Sequence, residues 1–242
     1  MNVDVRRLTT IVFDVDGTLY RQGPLRRAML LKLVGAAISD PGSGLATFRV
    51  LNSYRRAAER LRDAPVQGDL ASTHLRLASE HSGQSEAVVA RTVARWMERE
   101  PLGLLERFVE PALRRLLADA RGRGLRMGVL SDYPAADKLA AMDLAQYFDV
   151  VVSAQDSAVN RFKPHPSGLI EALRRLGAHP DQALYVGDRP DVDGAVARAA
   201  GVACIIVGRR RRVRSASGGW AHVSDYDGLH SILFPSKPEP LP

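Results

Sequence analysis

The chain has 242 residues, 45% hydrophobic and 25% charged, which is enough apolar material for a sizeable core. No apolar run approaches the ~18 residues of a membrane span, no apolar stretch follows the first charges as a signal peptide requires, and one cysteine excludes an internal disulfide or a Cys-rich zinc site. Cytoplasmic residence is therefore the default expectation. The net charge of +7 comes from 34 basic and 27 acidic residues, and the arginines are spread along what read as polar helix faces, so nucleic acid is not expected as a partner.

In chain order, Ile11-Val12-Phe13 reads as a buried strand that stops at Asp14-Val15-Asp16-Gly17-Thr18-Leu19. Gly23-Pro24 opens a helix with Leu25, Ala28, Met29, Leu33, Ala36 and Ala37 at helical spacing, and Pro41-Gly42-Ser43-Gly44 breaks it. A second helix carries Val50, Tyr54, Ala57 and Leu61; after an interruption from Pro65 to Gly68, a third carries Leu70, His74, Leu75 and Leu77. Ser85 is placed to cap a fourth, with Val88/Val89, Thr92/Val93 and Trp96/Met97 as its apolar pairs. Each helix has one apolar face, which a small bundle would bury.

From Pro111 the rhythm changes to alternating helix and strand. Helices are predicted from Pro111 to the Gly122-Arg123-Gly124 break and over 134–142, 167–176 and 190–200, with strands over 125–130, 150–153, 183–186 and 202–207. That alternation is the pattern of an α/β, doubly wound parallel sheet. The expected organisation is an α/β core from residues 1–20 and 106–242, with an all-helical cap of residues 21–105 inserted after the first strand. The proline-rich tail from Pro235 to Pro242 is not expected to pack.

Two carboxylates one residue apart at a strand end, followed by glycine, suit either a solvated turn or a metal and nucleophile site. A calcium loop is ruled out, because Thr18 occupies a ligand position and Gly17 comes too early. Further polar groups follow other strands: Ser131-Asp132, Lys163-Pro164 in a loop, and Gly187-Asp188 with Asp191 and Asp193 beyond. Singly, each reads as a helix cap or a solvated loop residue.

Together and in this order they resemble the motifs of the haloacid dehalogenase-like hydrolases, the first of which has the form Asp-x-Asp-Gly-Thr. The stretch from Tyr185 to Gly201 is similar to phosphoglycolate phosphatase-like members. The resemblance covers about residues 9–20 and 108–207 and implies a Rossmann-like core. It implies Asp14 as the nucleophile that forms an aspartyl-phosphate and Asp16 as the acid and base. Gly17, Thr18, Ser131, Asp132 and Lys163 would hold the phosphate. Mg²⁺ would be held by Asp14, Asp188 and the backbone carbonyl of Asp16. Asp193 would support Lys163 or a metal-bound water, with Asp191 left open as its alternative.

The expected activity is Mg²⁺-dependent hydrolysis of a small phosphorylated metabolite by a monomer or homodimer, with no membrane involved. A dehalogenase of the same family has no use for Asp16; a phosphomutase shares all four motifs. A non-catalytic protein that binds anions or nucleic acid through Arg209–Arg212 is the reading from another class. Cys204 reads as a buried small hydrophobe and His165 as a loop histidine. Specificity is expected in the insert, where Arg21, Arg26 and Arg27 are readable as substrate contacts or, more simply, as surface arginines.

Overall fold

The computed structural model describes residues 5–63, 68–208 and 220–235. Its centre is one six-stranded sheet: β1 (Thr10–Phe13), β2 (Arg126–Ser131), β3 (Val150–Ser153), β4 (Ala183–Gly187), β5 (Ala203–Val207) and β6 (Trp220–Val223). The order is β3-β2-β1-β4-β5-β6, and every pair is parallel. Parallel strands are buried on both faces, and the side chains divide accordingly. Ile11, Phe13, Leu184, Val186 and Ile205 point to one apolar layer, whereas Val12, Tyr185, Cys204 and Ile206 point to the other.

Helices α6 (Pro111–Gly122), α7 (Ala136–Ala141) and α10 (Tyr226–Leu233) supply Leu116, Leu139 and Leu229 to the first layer. Helices α8 (Ser167–Leu176) and α9 (Asp193–Ala199) supply Leu173 and Val196 to the second. The expected doubly wound α/β class is therefore met. The chain builds outward from β1 through β2 to β3, then returns to β4 on the other side of β1. The reversal between β1 and β4 makes their carboxyl ends the switch point, where such sheets open a crevice.

Between β1 and α6 lie α1 (Gln22–Ser39), α2 (Pro41–Asp63), α3 (Leu70–Ser82), α4 (Glu86–Val93), a π-helical turn (Ala94–Arg99) and α5 (Leu102–Leu105). Asp69 and Ser85 cap α3 and α4 by accepting from Ser72 N–H at 2.8 Å and Val88 N–H at 3.4 Å. Val50, Tyr54 and Ala57 of α2 pack with Ala78 of α3 and Val89 of α4. Leu61 and Leu70 pack on Ala154 and Phe162 of the core. The two chain crossings run side by side, with the Arg21 N–H donating to the Phe108 carbonyl at 3.0 Å.

Three expectations change. The break at 41–44 shrinks to Asp40, because Pro41 is acceptable in a first helical turn and the Asp40 carboxylate accepts from Ser43 N–H at 3.2 Å. Gly44 then lets α2 press directly on Ala37 of α1. Helix α1 does not bury a full face: only Leu25 is buried, while Leu31 and Ile38 remain 74% and 77% exposed. Beyond β5, β6 and α10 extend the α/β pattern where no elements were predicted. Arg209–Arg212 and the end of the proline-rich tail lie outside the described residues.

Candidate active site

The site is assembled by strand ends. The Asp14 N–H donates to the Val186 carbonyl at 2.8 Å, carrying the β1–β4 pairing one residue past the strand and holding Asp14 against β4. The chain then turns at Gly17, whose φ of +107° is open to glycine and strained for other residues. A Cβ there would lie 2.5 Å from Asp188 Oδ2, so the absence of a side chain also admits that carboxylate. Thr18 Oγ1 donates to Asp14 Oδ2 at 3.0 Å, and the Tyr226 hydroxyl of α10 donates to the Thr18 carbonyl.

Lys163 enters from the loop after β3. Its Nζ lies 2.5 Å from Asp14 Oδ1, 2.8 Å from Asp193 Oδ1 and 3.3 Å from the Tyr185 hydroxyl. Asp14, Lys163 and Asp193 are 4%, 5% and 1% exposed, so their charges are held by one another rather than by water. Burial disfavours the charge on Lys163, but Asp14 and Asp193 outweigh it and raise its pKa well above the usual lysine value. Asp193 Oδ2 also accepts from the N–H groups of Asp188 and Arg189 at 3.1 and 2.9 Å. Asp191 lies outside this cluster, exposed and paired with Arg189 at 2.7 Å.

Asp14, Asp188 and Asp193 each present a carboxylate oxygen, all within 4.8 Å of one another. Burial pushes the Asp14 pKa up to about 8; Lys163 opposes the shift, and Asp193 and Asp188 reinforce it. This crowded set of hard oxygen ligands matches what a divalent cation such as Mg²⁺ takes. Asp16 turns the other way: its Oδ1 meets Lys138 Nζ at 2.6 Å and accepts from the Tyr20 hydroxyl. Burial alone would raise its pKa, but Lys138 and Tyr20 hold it below the usual carboxylate value.

Ser131 is buried at the end of β2, its Oγ accepting from Tyr133 N–H at 3.2 Å. Asp132 spends its carboxylate on the protein: Oδ1 accepts from Lys163 N–H at 3.1 Å, and Oδ2 meets Arg62 of α2 at 2.7 Å. Arg62 also donates to the Lys163 carbonyl at 2.5 Å. Tyr185 opened the stretch similar to the family but was given no role, and Lys138, Arg62 and Tyr20 were not singled out from the sequence. Each is an ordinary residue on a helix, strand or turn, and no motif marks it. Above these groups, the insert and the core enclose a cavity of about 780 Å³, with Asp14, Asp16 and Lys163 among its lining and Trp96 and Met97 on the insert side.

A parallel sheet with carboxylates and a buried lysine gathered at its switch point defines an α/β protein whose polar side chains stand where such sheets bind their ligands. The family description "haloacid dehalogenase-like hydrolase" matches residues 8–201, and the chain belongs to that family. It is 28% identical over 207 residues to a phosphoglycolate phosphatase from Yersinia pseudotuberculosis, covering 84% of this chain and 82% of that one. It is equally 28% identical, over 209 residues and 84% of each chain, to a glyceraldehyde 3-phosphate phosphatase from Methanopyrus kandleri. In fold it is similar to the L-2-haloacid dehalogenase from Xanthobacter autotrophicus, with a TM-score of 0.66, 18% identity, and coverage of 95% and 100% of the two chains. Among the described residues no helix is long and apolar enough to cross a membrane.

Proposed function

We propose that the protein is a Mg²⁺-dependent phosphatase that hydrolyses small phosphate monoesters through an aspartyl-phosphate on Asp14. The observation that carries this reading is the position of Asp14, whose carboxylate lies between Lys163 and the Asp188 carboxylate while Asp16 stands two residues on. Asp14, Asp188 and the Asp16 backbone carbonyl would hold Mg²⁺, which when bound offsets phosphate charge that would otherwise repel an attacking carboxylate.

In this scheme a carboxylate oxygen of Asp14 attacks phosphorus as the ester oxygen departs. Lys163 places positive charge beside the transferring phosphoryl group, and Ser131 and Thr18 offer hydroxyls to its oxygens. Asp16 is ionised in the free protein. A phosphate dianion arriving beside it raises its proton affinity, so it can carry the proton that the leaving alkoxide takes. The Asp16 carboxylate left behind then receives a proton from the water that cleaves the aspartyl-phosphate. Asp193 fixes Lys163, and Lys138 fixes Asp16.

The helices of residues 21–105 serve as a cap in this reading. They roof the cavity at the strand ends, exclude bulk water and select substrates that fit beneath. The similarity to phosphatases supports attack on phosphorus with an alkoxide departing rather than attack on carbon with a halide departing, and Asp16 has no task in dehalogenation. The test is release of inorganic phosphate from an aryl phosphate with Mg²⁺ and after exhaustive chelation, in wild type, Asp14→Asn and Asp188→Ala. Turnover should vanish with Asp14→Asn and on chelation, and Asp188→Ala should weaken Mg²⁺ binding measured calorimetrically. Chelation without effect would overturn the metal assignment, and phosphate transfer to a second hydroxyl in place of release would make the enzyme a mutase.

A further inference from the structure

Among the described residues nine large hydrophobic side chains are exposed, and six of them lie on α1 and the first half of α2. On α1, Leu31, Val34 and Ile38 recur at intervals of three and four residues and so share one face, which Arg27 joins one turn earlier. On α2, Leu45 shares its face with Arg49 and Arg56, four and eleven residues on. The opposite side of α1 is accounted for: Leu25 is buried, and Met29 and Leu33 line the cavity. Helix α1 is thus apolar on both sides, a pattern that belongs to helices covered all round. Leu31, Val34, Ile38 and Leu45 do not line the cavity, so nothing bound there covers them.

The charge around this face narrows what can cover it. From residue 21 to residue 58 the chain carries seven basic residues and a single acid, Asp40, so this stretch holds most of the net charge of +7. Arg27, Arg49 and Arg56 are exposed and form no ion pair among the described residues. A second copy of the chain, docked by a two-fold axis, would set these arginines against their own counterparts, which like-charge repulsion disfavours. An anionic surface that also accepts apolar side chains meets both demands. That combination, leucine and isoleucine on a helix face with arginine beside them, is the form of a helix that lies in a membrane interface.

We infer that the outer face of α1 and the start of α2 docks on an anionic lipid surface. Leu31, Val34, Ile38 and Leu45 enter the boundary between headgroups and acyl chains. Arg27, Arg49 and Arg56 stay at its rim, their stems along the apolar surface and their guanidiniums on lipid phosphates. The protein lies on the membrane and does not cross it. This surface is independent of what Asp14 does, because its residues stand outside the cavity.

The experiment is co-sedimentation of the full chain with vesicles of phosphatidylcholine alone and of phosphatidylcholine mixed equally with phosphatidylserine. The protein should pellet with the mixed vesicles and stay in solution with phosphatidylcholine alone, and about 1 M salt, which screens charges beyond about 3 Å, should release it. Leu31→Ser with Ile38→Ser should weaken binding at least about tenfold. Arg27→Gln with Arg49→Gln should weaken it about fivefold for each charge removed, the worth of a basic residue beside an anionic leaflet. Arg91→Gln with Arg198→Gln removes the same charge from α4 and α9 and should leave binding close to wild type.

Equal binding to both kinds of vesicle, or none to either, would overturn the surface. So would an unchanged affinity in the serine variant, or an equal loss in the two arginine pairs, which would mean attraction by net charge alone. Sedimentation velocity without vesicles tests the other occupant: a wild-type dimer that the serine substitutions dissociate would assign the face to a second copy and overturn lipid docking. Both serine positions are about three-quarters exposed, and circular dichroism checks that the variants fold. Leu31→Ser alone provides a milder change with the same expected direction.

Discussion

Replacing Arg62 by alanine should be far more damaging than its surface position on a helix of the insert suggests. The guanidinium lies 2.7 Å from Asp132 Oδ2, and the two side chains are only 10% and 11% exposed. At that distance an effective dielectric of about 20 gives an attraction of about 6 kcal/mol. Removing two ions from water takes back several kcal/mol per ion, so the intact pair contributes little net stability. Truncating one partner is another matter, because Asp132 would stay buried with only the Lys163 N–H at 3.1 Å. The expected loss is about 3–5 kcal/mol, read from urea unfolding midpoints at constant m-value. Combining Arg62→Met with Asp132→Leu should recover most of that stability but not turnover, because the backbone of Lys163 would have lost both of its anchors. A loss below about 1 kcal/mol in Arg62→Ala would refute the reasoning, since that is the scale of an exposed pair. A double variant as unstable as the single one would refute it too.

Asp16→Asn should slow hydrolysis of an alkyl phosphate much more than that of a nitrophenyl phosphate, which needs no protonation to depart; equal losses would remove Asp16 as the leaving-group acid. Gly17→Ala should cost about 1–3 kcal/mol through its positive φ. It should also displace Asp188, read as a smaller rise in melting temperature when Mg²⁺ is added. His74 is fully buried, its Nε2 donating to the Tyr54 carbonyl at 2.7 Å while Nδ1 has no partner. Burial holds its pKa below 6.5. Below that pH the unfolded chain binds a proton that the folded chain does not, so stability present above pH 6.5 should fall as the medium is acidified toward the folded pKa. His74→Phe should flatten this part of the profile, and parallel thermal melts of the two proteins check it.

The chain announced its interior elements well. Strand β3 and helix α8 match their predicted bounds because each combines an apolar run or stripe with clear flanking breaks. Strand β6 was missed for a physical reason: it lies at the sheet edge, and only Val223 of its four residues is buried, so Trp-Ala-His-Val shows no hydrophobic run. Helix α10 was legible and was overlooked, with Asp225 as its cap and Tyr226, Leu229 and Leu233 at helical spacing. In the site, Asp14, Ser131, Lys163 and Asp188 could be located because each follows a readable strand or sits in a recognisable motif. The choice between Asp191 and Asp193 required three dimensions, since only the register of α9 turns Asp193 toward Lys163. Lys138 and Arg62 act across 122 and 70 residues of sequence, and local patterning carries no trace of such partners.

The hydrogen bond from Arg21 N–H to the Phe108 carbonyl has a consequence for how such a chain can be altered. The polypeptide leaves the core and returns to it at one point, so in chain connectivity the helical excursion is a closed loop. Loop-closure entropy grows with the logarithm of length, about 0.6 kcal/mol per doubling. In chain entropy alone, the core is therefore nearly indifferent to how much chain hangs from that junction. Shortening the excursion to a tight turn, or exchanging it for another helical bundle with adjacent ends, keeps the junction closed, provided that the buried Asp132 receives a new partner in place of Arg62 and that Ala154 and Phe162 are covered again. In engineering terms the junction is a socket.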